Sequence, residues 1–87
     1  METLTLNDGT VVNGHIIDNG DGRTIFVYLD GMTVVQGVTL FADPAKSRKV
    51  TAMNHGAEHV YEGYTELYHA SHEYGNCNLT MRRGSDA

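Results

Sequence analysis

Apolar and polar residues alternate through much of this 87-residue chain, and pairs of glycine with aspartate or asparagine interrupt the alternation at short intervals. That rhythm predicts short, half-buried strands joined by tight turns. Leu4 and Leu6, then Asn7-Asp8-Gly9, then Val11 predict two strands and a turn, because Asp-Gly supplies the positive φ that a hairpin needs. The second strand covers residues 10–17, with Gly14 a point of bulging or close approach. Asp18-Asn19-Gly20-Asp21-Gly22 forms the next turn, and residues 23–29 (RTIFVYL) are the most strand-like run in the chain. Residues 3–29 therefore predict a three-stranded antiparallel meander. Near the C-terminus, Cys77, Leu79 and Met81 alternate with Asn78, Thr80 and Arg82, the signature of a strand buried on one face.

Between these runs, residues 32–42 (MTVVQGVTLFA) fit both periods. A short helix is the preferred reading, because a three-stranded sheet needs a cover for its apolar face. Asp43-Pro44 ends that element, and Asp43 equally suits the cap of a further helical turn with Pro44 at its first position. Residues 50–53 read as a short strand. The stretch 57–72 is ambiguous. Ala57, Val60, Tyr61, Tyr64, Leu67, Tyr68 and Ser71 make a helical stripe, yet a helix would stack Glu58, Glu62 and Glu66 at repelling i,i+4 positions and carry Gly63 at its centre. Strands are preferred there, with residues 67–73 pairing through Gly75-Asn76 onto the final strand as a C-terminal hairpin. The expected architecture is one α+β domain, mostly antiparallel β-sheet, with an N-terminal three-stranded meander, a C-terminal hairpin and one short helix near 32–42.

Two resemblances attach to these runs. Leu6-Asn7-Asp8-Gly9, Gly14, the strand after it and the second Asp-Gly at 30–31 resemble the start of small barrels of the Sm or SH3 type. LTLNDGTVVNG, LFADPAKS and EGYTELY with GNCNLTMRR are similar to small uncharacterised proteins encoded in prophages of gut bacteria. The second resemblance spans most of the chain. It implies a β-sheet with one helix and a phage or mobile-element origin, and it implies no activity.

Composition narrows the classes. A hydrophobic content of 40% with 20% charged residues is ordinary globular usage. No run of 18 apolar residues predicts a membrane span, and METLTLNDG carries no secretory n-region or h-region. The single cysteine leaves no internal disulfide and fits a reducing cytoplasm. A net charge of −5 with six basic residues argues against direct nucleic-acid binding and suits docking on a basic partner.

The chemically loaded stretch is residues 55–77, which holds four of the five histidines, four of the five tyrosines and the cysteine. His55, His59, His69, His72 and Cys77 are the residue types of a zinc site, but neither helix nor strand spacing converges four of them, so no cofactor is expected. DNGDG lacks the closing glutamate of a calcium loop, since residue 29 is leucine. Cys77, the sole thiol nucleophile, falls in a core-facing row, and no phosphate loop or nucleophile elbow is present; the expectation is no enzyme. What remains is a contact face of Glu58, Tyr61, Glu62, Tyr64, Glu66, Tyr68, Glu73 and Tyr74, because tyrosine buries large area with few torsions to fix and carboxylates complement a Lys/Arg-lined groove. The expected function is a small phage-type inhibitor that blocks a host defence protein at its basic nucleic-acid-binding surface, with an anti-CRISPR protein as the concrete form. Two alternatives stay open. One is a structural accessory of a phage particle that self-associates as a homo-oligomer. The other is a sponge for a nucleotide signal, using Lys46, Arg48 and Lys49 with the tyrosines.

Overall fold

Six antiparallel pairings join seven strands into one bent sheet in the computed structural model, which describes residues 2–54 and 56–84. In chain order the elements are β1 (Thr3–Thr5), β2 (Val11–Asp18), β3 (Thr24–Asp30), α1 (Val34–Phe41), α2 (Pro44–Ser47), β4 (Lys49–Asn54), β5 (Ala57–Glu62), β6 (Glu66–Glu73) and β7 (Asn76–Arg82). Their spatial order is β5-β4-β1-β2-β3-β7-β6. The architecture is mostly antiparallel β with a short helix, and α2 adds a single helical turn.

The bend lies in β2. Its first residues pair with β1 as far as Asn13 opposite Thr3, and from Gly14 opposite Leu29 it pairs with β3. Gly14 has to be glycine at this hand-over, because a Cβ there would collide with the backbone carbonyl of Tyr28. The strand thus belongs to two half-sheets, β5-β4-β1-β2 and β2-β3-β7-β6, whose inner faces share a core. Leu4, Leu6, Val50 and Ala52 come from the first half and Ile25, Val27, Leu29, Cys77, Leu79 and Met81 from the second. The burial of β7 alternates without a break, as its sequence predicts.

The helix α1 closes the open end of this core. Thr33 caps it through a capping box: its hydroxyl accepts from the Gln36 amide at 3.2 Å, and the Gln36 side chain accepts from the Thr33 amide at 3.0 Å. Phe41 is buried, and Gly37 lies directly on Cys77 and Leu29, close enough that a side chain at 37 would strike the Cys77 sulfur. Glycine therefore sits in a helix because the backbone must approach β7, which offsets its poor helical propensity. The Asp43 carboxylate caps α2 by accepting from the Ala45 amide at 3.0 Å.

A candidate contact site along two sheet edges

Residues 57–72 are strands. Pairing with β4 on one side and β7 on the other wins over their helical period, and Gly63, at φ 86°, marks the break between β5 and β6. These two strands are consecutive in the chain yet occupy opposite ends of the strand order. Each therefore keeps one row of backbone donors and acceptors unpaired. The linker 63–65 ties both halves together. The Gly63 amide donates to the Arg48 carbonyl at 2.8 Å, and the Gly63 carbonyl accepts from the Gly84 amide at 3.0 Å.

Tyr64 points from this linker into the core and is only 5% exposed. Its ring meets Tyr61 edge-on at 6.3 Å and carries the Arg83 guanidinium above it, while its hydroxyl accepts from Arg83 Nη2 at 3.3 Å. Tyr61 faces inward opposite Val50 and is half-buried; burial, with a lesser push from Asp18 and Tyr64, raises its hydroxyl pKa above the ordinary 10.0. One of the eight expected contact residues is thus corrected: Tyr64 is core, and the half-buried Tyr61 packs against it. The even spacing that aligned Tyr64 with the glutamates fails because Gly63 resets the chain direction before it.

The other six are exposed. On β5 the register sets Glu58, Val60 and Glu62 on the face away from the core, opposite Met53, Thr51 and Lys49. On β6 a bulge between Leu67 and His69 makes Tyr68 an extra residue and shifts the alternation by one. Leu67 and Ala70 face inward, while Glu66, His69, Ser71 and Glu73 face out opposite Arg82, Thr80, Asn78 and Asn76. Tyr68 is 63% exposed, with the Arg82 guanidinium 3.6 Å above its ring centre, a cation–π contact. Tyr74 is 96% exposed at the two-residue β6–β7 turn, where Tyr74 and Gly75 have φ of 54° and 78°. Positive φ at both central positions is the I′ pattern, which favours Asn-Gly and strains tyrosine. The carboxylates do not share one plane. They lie as two pairs, Glu58 and Glu62 on β5 and Glu66 and Glu73 on β6, with Glu62 and Glu66 flanking the linker beside Lys49 and Arg82.

The residue types of a zinc site stay apart. His55 lies outside the described residues. His59 pairs with Ala52, while His69 and His72 stand opposite Thr80 and Cys77 on different faces of β6. Among the described residues no three His, Cys, Asp or Glu side chains gather where a metal could bind. Cys77 is wholly buried, and burial pushes its thiol above the ordinary range, so the native state does not offer it as a nucleophile. Along the exposed side of α1 runs an open trough of about 530 Å³ lined by Met32, Val35, Thr39 and Leu40.

One group escaped the sequence reading: the aromatic residues on the outer face of the second half-sheet. Phe26 and Tyr28 project outward from β3, and Tyr28 stacks on His15 of β2 at 4.9 Å and 20°. The signal was present, since Thr24, Phe26 and Tyr28 alternate with the buried Ile25, Val27 and Leu29. Comparison with protein-family models, curated proteins and solved structures finds no match to this chain.

Proposed function

We propose that the chain is a protein-docking inhibitor that sets its edge carboxylates and Tyr74 against a basic, nucleic-acid-binding surface of a host defence protein. The phage-type resemblance of the sequence makes a CRISPR effector in the host cytoplasm the concrete form of that partner. The carrying observation is Tyr74, a large aromatic left in water in a strained turn beside the carboxylate of Glu73. Strain of that kind costs about 1–3 kcal/mol, and an exposed tyrosine is what a contact hot spot uses. The four glutamates supply complementarity to lysine and arginine, which speeds encounter and fixes orientation. The unpaired edge of β6 adds main-chain hydrogen bonding to a partner's extended segment. No helix among the described residues is long and apolar enough to cross a membrane, and docking as proposed needs none.

The experiment is co-elution of the chain with purified effectors, with and without their nucleic acid, followed by the variant Glu58→Gln/Glu62→Gln/Glu66→Gln/Glu73→Gln. The proposal expects a complex that nucleic acid competes away and that the variant does not form. A complex insensitive to both changes would refute the proposed docking mode.

A further inference from the structure

We propose that the outer face of β2-β3-β7-β6 is the interface of a two-fold homodimer. The face is open: α1 and the first half-sheet pack on its other side, against Leu29, Cys77 and the core row. Its centre is apolar and aromatic, with Ile17 at 49% exposure beside Phe26, and His15 stacked on Tyr28 in the next row. Cross-strand partners define its two ends. One end is the row Asp30–Asn76–Glu73, with two carboxylates; the other is Thr24–Arg82–Glu66. Arg82 is held flat by the Tyr68 ring, and its Nε is buried without a hydrogen-bond partner.

A second copy is the occupant that fits this charge pattern. A two-fold axis lying in the face and running across the strands lays each row on its reverse. The two central rows then meet, placing Phe26 over the partner's Tyr28. Arg82 lands between Asp30 and Glu73 of the other copy, and the same contact recurs at the opposite end, as an isologous interface requires. Glu66 falls near the partner's Glu73, a like-charge contact that weakens the pair without cancelling the two attractions to Arg82. Four strands about 4.8 Å apart and four rows about 6.7 Å apart give a flat area of roughly 400 Å² per copy. The total of about 800 Å² is below the roughly 1,200 Å² of stable specific interfaces, so the dimer is a weak, transient one that forms only with concentration. Single-stranded nucleic acid could also stack on aromatic rings, but the acidic end row and the net charge of −5 disfavour it. Face-to-face pairing leaves the in-plane edge of β6, Tyr74 and all of β5 outward but engages Glu66 and Glu73, so the dimer competes with the partner docking proposed above for the β6 carboxylates and is tested on the chain alone.

Sedimentation equilibrium from micromolar to millimolar protein tests this with two charge variants and one apolar control. Arg82→Glu alone and Asp30→Arg/Glu73→Arg alone are each expected to weaken the dimer at least tenfold. Their equimolar mixture is expected to restore association as a heterodimer, because each introduced charge then meets its opposite. Ile17→Lys is expected to weaken the dimer with its fold intact by far-ultraviolet circular dichroism, which guards against a charge variant that merely unfolds. Wild-type chain that stays monomeric throughout, a mixture that fails to associate while both variants are folded, or a monomer that binds a labelled single-stranded oligonucleotide on this face would each overturn the proposal.

Discussion

Replacing Gly37 with alanine is an informative perturbation of the fold, because two effects of opposite sign meet at one atom. An alanine in mid-helix gains about 1 kcal/mol over glycine. Here the new Cβ would lie inside contact distance of the Cys77 sulfur and 3.2 Å from Leu29 Cδ1, both side chains wholly buried. Overpacking of a closed core costs about 1–3 kcal/mol, and a direct strike on a sulfur fixed between β7 and α1 belongs at the upper end. The expected net result is a loss of about 2 kcal/mol, or roughly 8–16 °C in Tm for a domain of this size. Cys77→Ala alone removes one buried heavy atom and, by analogy with a single buried methyl, costs about 1 kcal/mol. If the two positions were independent, the double variant would lose about 3 kcal/mol. Since the added methyl occupies the space the sulfur leaves, the double variant should lose about 1 kcal/mol or less, a coupling of about 2 kcal/mol. Urea melts of the four proteins with a shared slope measure this. Gly37→Ala as stable as the wild type, or a double variant equal to the sum of the singles, would refute the packing of α1 on β7.

Three further outcomes follow from local geometry. Tyr74→Asn relieves a strained positive φ and should stabilise the β6–β7 turn by about 1 kcal/mol while weakening partner docking; a destabilised variant in thermal melts would show that the ring packs on the protein. Gly14→Ala drives a Cβ into the Tyr28 carbonyl, backbone against backbone, and should cost more than about 3 kcal/mol, read as a collapsed urea midpoint or insoluble protein. The Asp21 carboxylate accepts from the Arg23 and Thr24 amides at 2.8 and 2.9 Å, which lowers its pKa from the ordinary 3.8 to about 2. A folded-state value below the unfolded one gives stabilisation that is complete above about 4 and lost as pH falls through 2. A carboxyl NMR titration should place the Asp21 midpoint near 2, and a midpoint at 3.8 would contradict those bonds.

The elements carried by local pattern were legible in the sequence. The alternation of Cys77, Leu79 and Met81 named the buried face of β7, and Asp8-Gly9 and the DNGDG run marked real turns. The preferred helix near 32–42 is present from Val34, although the capping box of Thr33 and Gln36 that starts it went unread. What local pattern could not carry was the placement of β5 and β6. The turn at Gly75 gave β6 its partner β7, but adjacent in the chain as they are, β5 and β6 become opposite edges only because β5 pairs with β4, and nothing local in residues 57–62 encodes that partner. The expected contact face fails at Tyr64 and holds at Glu73 for reasons that local alternation does not carry. Gly63 breaks the strand and turns Tyr64 inward, and the bulge at Tyr68 inverts the alternation after it, so that Glu73 faces out where an unbroken strand would turn it toward the core. Phase errors of one residue move a side chain to the other face of a sheet.

The central claim is that the exposed carboxylates and Tyr74 dock on a basic surface that otherwise holds nucleic acid. The most direct measurement is the affinity of the chain for a purified CRISPR effector as the concentration of competing guide or target nucleic acid is raised, repeated with Tyr74→Asn. Tight binding that falls in proportion to nucleic-acid occupancy and drops at least tenfold with Tyr74→Asn is the expected result. Binding that is unchanged by either, or absent from every defence effector tried, would contradict it.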